Sequence, residues 1–208
     1  MPVTALLLLF AYLLGSVSGS LLLGRFRGVD IRTQGSGNAG GTNALRTQGV
    51  KFALGVVLID IGKGALSAWL ALQFAPQDGP LAPRALAFAA AFIAAIGHVW
   101  PLWHGFRGGK GVGTLLGGVA VLWPLVLLPL FLVWLCLLVA TGYVGLASIV
   151  ATACLVPLAL WLKVDAPVLW FSTAAALLVL FTHRGNVQRL RADTESRFKR
   201  VRFWRRRA

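Results

Sequence analysis

Three polar segments interrupt an otherwise apolar sequence of 208 residues, and each carries groups suited to holding phosphate. The first is Ser36-Gly37-Asn38-Ala39-Gly40-Gly41-Thr42-Asn43-Ala44-Leu45-Arg46. Closely spaced glycines let successive backbone N–H groups converge on an anion, Ser36 and Thr42 add hydroxyl donors, and Arg46 adds charge. The same residues also suit a turn in which Thr42 or Asn43 caps a helix. The second segment combines Gly97-His98-Val99-Trp100-Pro101 with Phe106-Arg107-Gly108-Gly109-Lys110-Gly111-Val112-Gly113-Thr114, ahead of a long apolar run. Glycines before a helix N-terminus, flanked by Arg107 and Lys110, describe a phosphate cradle. A basic membrane-surface turn with snorkelling cations is the plainer alternative. A Walker A loop is excluded, because Gly111 follows Lys110 and no acidic metal ligand lies nearby. The third segment, His183-Arg184-Gly185-Asn186-Val187-Gln188-Arg189-Leu190, closes the last apolar run. A histidine at a helix end is commonly just an interfacial residue. Here Asn186 can donate to a phosphate oxygen, and Arg184, Arg189 or Arg191 can neutralise its charge.

Composition names the solvent in which these segments work. Hydrophobic residues make up 58% of the chain, and the mean hydropathy is +0.79, values of a membrane protein with one domain. Lys and Arg outnumber Asp and Glu by 20 to 6, so an anionic partner is required. The apolar context favours lipid headgroups or a phosphorylated substrate and argues against nucleic acid. Cys136 and Cys154 sit inside apolar runs, far from any metal-ligand spacing, and are expected to be buried spacers. Neither a metal nor a cofactor is implied.

Apolar stretches cover about residues 3–23, 52–75, 85–103, 112–140, 143–162 and 166–182, most of them near the ~20 residues that cross hydrocarbon. Spanning elements in lipid must satisfy their own backbone, and the alternating pattern of a barrel is absent, so the fold class is all-α: a polytopic membrane helix bundle. The first stretch lacks the basic start of a signal peptide and reads as a retained span. Cations between Arg25 and Lys51, at Arg107 and Lys110, and from Arg184 onward place those loops inside, with the N-terminus outside and the C-terminus cytoplasmic. An even number of crossings must then lie between Lys110 and Arg184, for a total of five or seven. Pro124, Pro129, Pro157, Gly142 and Gly145 supply breaks for seven transmembrane helices. All three polar segments then share one face of the membrane, which suggests a single site. Asp60 and Lys63, three apart on one predicted helix, can neutralise each other inside the bilayer as structural support. The domain would span residues 1–196, and 197–208, with Phe198, Phe203 and Trp204 among cations, reads as a basic cytoplasmic tail for anionic lipid.

Taken together, the three segments resemble the bacterial acyl-phosphate-dependent glycerol-3-phosphate acyltransferase family, known as PlsY. The first motif is matched by Ser36 to Asn43 with Arg46, the second by Gly97-His98 and Gly108-Gly109-Lys110-Gly111, and the third by His183-Arg184 with Asn186, Arg189 and Leu190. Order, spacing and chain length agree, so the likeness covers essentially the whole sequence. Three departures stand out. Gly41 replaces the usual alanine, Arg107 a common lysine, and Gly142 and Gly145, ahead of Ser148, replace an expected Arg and Ser.

The resemblance implies seven spanning helices, a bacterial inner membrane location with the active site at the cytoplasmic face, and acyl transfer from acyl phosphate to the 1-hydroxyl of glycerol 3-phosphate. Lysophosphatidic acid and phosphate are the implied products, and acyl-CoA is not the donor. Ser36, Arg46, Lys110, His183 and Asn186 become the implied catalytic residues. Gly40, Gly41, Thr42, Asn43, His98, Arg107, Gly108, Gly109 and Ser148 become the implied substrate-binding ones. A substrate phosphate oxygen or His183 would take the hydroxyl proton, and an acyl-enzyme on Ser36 is a third route. Two other classes compete with this reading. A transporter of a phosphorylated anion would also want cationic loops and broken helices, but the cations cluster at one face without an inverted repeat. A noncatalytic lipid scaffold explains the tail and not the three motifs. Acyl-chain preference and oligomeric state are not legible.

Overall fold

The computed structural model describes residues 1–198; the remaining ten, most of the expected basic tail, lie outside the described residues. Every described regular element is helical. The chain divides into two compact units, Met1–Pro124 and Leu125–Ala208.

In the first unit, the first expected span is broken into α1 (Pro2–Gly15) and α2 (Gly19–Phe26). They meet at an angle of 48°. Short α3 (Gly41–Gln48) follows the first glycine-rich loop and leads into α4 (Val50–Phe74), α5 (Pro83–Val99) and α6 (Val112–Leu122). Long apolar α4 is the hub, with α1, α5 and α6 all packed on it. Hydrocarbon offers no hydrophobic driving force between helices, so tight packing of small residues must hold them together. The sequence supplies those residues. Ala87, Ala90, Ala91, Ala94 and Ala95 give α5 a fully buried face. Gly64 on α4 faces the Thr114 carbonyl of α6, and Gly117 on α6 faces Ile61, so closely that neither site has room for a Cβ.

The second unit holds α7 (Leu127–Thr141), α8 (Val144–Ala153), α9 (Leu155–Trp161), α10 (Ala166–Thr182) and α11 (Arg184–Arg191). α7 packs on α8, and α10 on both α8 and α9. The 112–182 region is thus broken at Trp123–Pro124, at Gly142 and around Lys163 into four apolar stretches; Pro124 and Gly142 fall at breaks as expected, whereas Pro129, Gly145 and Pro157 lie within helices. One expectation fails: Cys136 is exposed on α7, and Cys154 is half-buried. Apolar helices in lipid turn hydrophobic residues outward as readily as inward, so an apolar context does not imply burial.

Four helical stretches are long and apolar enough to cross a membrane, rising to six if each bent pair counts once; α6 is a shorter apolar helix beside them.

Replacing Gly64 by Val places branched carbon where the α6 backbone runs. Overpacking of this kind costs about 1–3 kcal/mol, so thermal unfolding of the variant in detergent should begin several degrees below wild type, while Gly62→Val, in open space, should leave it unchanged.

Candidate active site

The first glycine-rich loop is built around one side chain, Asn43. It lies in the first turn of α3 with 1% of its surface exposed. Its amide nitrogen is 3.0 Å from the carbonyls of Ile31, Gln34 and Asn38, and its oxygen accepts the Ser36 N–H at 3.0 Å. The carboxamide is therefore spent on the loop backbone, and Asn43 lies beneath the loop rather than on its open side. What it leaves outward is the rest of the motif. Ser36 is exposed, Gly40 is the N-cap of α3, Gly41 and Thr42 form its half-buried first turn, and Arg46 is exposed one turn later. A helix N-terminus behind glycines presents unpaired N–H groups and a favourable dipole to an anion.

The second loop returns along the end of α5. Gly108 N–H donates to Val99 O at 3.1 Å, and Gly109 N–H donates to His98 O at 3.1 Å. Gly109 is buried against the His98 ring, so any side chain there would collide with Nε2 while standing 3.1 Å from the Ala39 carbonyl of the first loop. The two glycine loops therefore meet at Gly109. Gly111 is the N-cap of α6, giving a second helix N-terminus beside the half-buried Lys110; Gly108 is half-buried and Arg107 exposed.

Arg32 ties the loops from outside. Its guanidinium donates to the His104 carbonyl at 3.0 Å and to the Arg107 carbonyl at 3.2 Å. Asp30 holds it through Oδ2 at 2.7 Å, and this charge-assisted bond keeps the Asp30 carboxyl below its ordinary pKa. Sequence reasoning counted Arg32 only as a charge. An Asp two residues before an Arg, in a loop, was the available signal.

His98, a candidate substrate ligand, is buried to 3% exposure. Its Nδ1 lies 2.8 Å from Lys63 Nζ and 3.4 Å from Asp60 Oδ1. Lys63 and Asp60 do pair, at 3.1 Å. They also close the break between α1 and α2, where Lys63 donates to Val17 O at 2.8 Å and Asp60 accepts the Gly19 N–H at 3.2 Å.

In the second unit the third motif forms a cluster of its own. His183 ends α10, and its Nδ1 donates to the Val179 carbonyl at 2.8 Å, which puts the ring lone pair on Nε2. Asn186, buried on α11, packs against Gly145 of α8, where a Cβ would come within 2.8 Å of its amide nitrogen. That nitrogen donates to Glu195 at 2.7 Å, and Arg189 donates to the other Glu195 oxygen at 2.7 Å. Glu195 escaped the sequence reading because it follows the motif in a stretch that looks like polar tail. Ser148, buried on α8, accepts from the Trp134 indole at 3.2 Å.

Apolar helices held by small residues, with glycine loops at their ends, define a helical integral membrane protein. The chain belongs to the glycerol-3-phosphate acyltransferase family, whose description matches residues 5–193. It is 39% identical over 198 residues to the glycerol-3-phosphate acyltransferase of Rhizobium meliloti (strain 1021), covering 95% of this chain and 93% of that one. It is 41% identical over 201 residues to the enzyme of the same name from Halalkalibacterium halodurans, covering 94% and 95%. Two crystal structures of PlsY, an integral membrane glycerol 3-phosphate acyltransferase, share the fold. The glycerol 3-phosphate form has a TM-score of 0.86 at 36% identity, over 94% of this chain and 95% of that one. The lysophosphatidic acid form has a TM-score of 0.85 at 34% identity, over 95% and 97%.

Asn43→Ala removes the side-chain bonds that hold the first loop from beneath. With about 1 kcal/mol for each lost bond, the loop should weaken by roughly 2–4 kcal/mol. Limited proteolysis between Arg32 and Arg46 should accelerate accordingly.

Proposed function

We propose that this chain transfers a fatty acyl group from an acyl phosphate to the 1-hydroxyl of glycerol 3-phosphate, at the cytoplasmic face of a bacterial inner membrane. The acyltransferase class follows from the family. The meeting of the two glycine loops at Gly109 carries it, because one patch then offers two helix N-termini with Arg46 and Lys110 in the same motifs. Such a patch suits a reaction in which both substrates bring phosphate and their repulsion must be offset. A coenzyme A donor would call for a nucleotide-binding element, which this sequence does not suggest.

In this reading Ser36, Thr42 and the amides of Gly40 and Gly41 hold the acyl phosphate. Arg46 and Lys110 balance the phosphates and the negative charge that develops on the carbonyl oxygen. Arg107, Gly108 and Gly109 shape the second phosphate cradle, and Ser148, His183 and Asn186 orient glycerol 3-phosphate. The 1-hydroxyl oxygen attacks the acyl carbon, the bond from that carbon to the phosphate oxygen breaks, and the hydroxyl proton passes to a phosphate oxygen. Mixed anhydrides have a good leaving group, so a strong protein base is not required. His183 supports this as an acceptor through Nε2, since its Nδ1 is committed to Val179.

Seven spans are part of the proposal: two bent pairs, four long stretches and α6 together supply that number. Residues 1–196 act as one acyltransferase domain, and 197–208 serve as a basic anchor on anionic lipid.

The test is direct. Purified protein in lipid-supplemented detergent is given glycerol 3-phosphate with palmitoyl phosphate or palmitoyl-CoA, and lysophosphatidic acid is measured. Product from palmitoyl phosphate alone is expected, and product from palmitoyl-CoA alone overturns the donor. Lys110→Ala should lower kcat/KM by about 10²–10³-fold if it balances transition-state charge. His183→Ala should weaken glycerol 3-phosphate use, and unchanged kinetics in that variant would remove His183 from the site.

A further inference from the structure

Asp60 and Lys63 have no substrate role above, yet with His98 they form a buried group directly behind the junction of the glycine loops. Its hydrogen bonds can be counted. A lysine ammonium has three N–H donors and no acceptor. Three acceptors surround Lys63 Nζ: Val17 O at 2.8 Å, His98 Nδ1 at 2.8 Å and Asp60 Oδ1 at 3.1 Å. The ammonium is thus fully used, and its companion carboxylate is the counter-charge that burial demands. Facing a donor at 2.8 Å, Nδ1 of His98 must present its lone pair, which leaves the ring proton on Nε2. Asp60 Oδ1 is further from Nδ1, at 3.4 Å, and already accepts from Lys63 and the Gly19 N–H. Nε2 is the atom that a side chain on Gly109 would strike, beside the Ala39 carbonyl.

We propose that Asp60 and Lys63 are positioning residues for phosphate binding, acting through His98: Lys63 occupies Nδ1 and so fixes the imidazole as an Nε2–H donor at the junction of the two glycine loops. Asp60 keeps Lys63 in place and anchors Gly19. The pair therefore governs how the Ala39–Gly40 and Gly108–Gly109 segments face each other, and through them the amides offered to phosphate. The kinetic part of this inference rests on the acyltransferase reading.

The test joins a spectroscopic readout to a kinetic one. ¹⁵N-histidine spectra of the whole protein in detergent, with the His98 signals assigned by their loss in His98→Gln, report the tautomer. The double variant Asp60→Leu/Lys63→Met removes both charges and leaves none unpaired, an exchange that buried pairs often tolerate. Wild type should show the Nε2–H form. The double variant should lose that single form, with KM for glycerol 3-phosphate or palmitoyl phosphate raised about tenfold and kcat within about threefold, as expected for a displaced hydrogen-bonding loop. A merely structural role would lower the yield of folded protein and leave KM alone. An Nδ1–H form in wild type, or a wild-type KM in the double variant, overturns the proposal. Should wild type fail to turn over, the acyltransferase reading falls, and the comparison of tautomers still decides the positioning role.

Discussion

A carboxylate and an ammonium, three residues apart on α4, set the arrangement of the first unit. Buried charges are tolerated only when every lone pair and proton finds a partner. Meeting that demand draws two other segments to one point: the break between α1 and α2 through Val17 and Gly19, and the end of α5 through His98. The reverse dependence is equally strict. An interrupted helix in lipid leaves backbone groups open, and Lys63 and Asp60 answer one of each kind. Each feature is the condition for the other.

From that point the construction runs outward to the loops. The backbone after α5 doubles back on His98 and Val99, Gly109 admits the imidazole, and the first loop closes over the same residue. Asn43 shapes that loop from inside, and Arg32 clasps the second loop from outside. Functional glycine loops are usually the most pliant part of a protein; here polar bonds hold them on two sides, beneath at buried Asn43 and outside at Arg32. The second unit repeats the principle with different parts. Glu195 joins Asn186 and Arg189, and the Val179 carbonyl selects the tautomer of His183. His98 and His183 thus carry their ring protons on opposite nitrogens, for the plain reason that one faces an ammonium and the other a carbonyl.

Much of this was legible in the sequence. Glycine and cation spacing marked both loops, hydropathy marked the apolar helices, Pro124 and Gly142 marked breaks, and the Asp60–Lys63 spacing announced their pairing. The break at Ser16–Ser18 was not, because hydropathy averages across it and neither proline nor charge stands there; its cause lies on another helix. The partnership of His98 with Lys63 was hidden by a separation of 35 positions along the chain. Asn43 stood out as a polar residue of the right loop and Arg32 only as a cation, because whether a side chain faces a ligand or its own backbone depends on the closed loop.

The alanine face of α5 has a consequence beyond packing. Helices that meet at Ala90, Ala94, Gly64 and Gly117 approach so closely that a methylene chain has no width to enter between them. In the proposed reaction the fatty tail of the donor cannot be threaded through the α1–α4–α5–α6 group, and only its phosphate end reaches the glycine loops there. In that reaction the hydrocarbon of the donor stays on the lipid side of these helices.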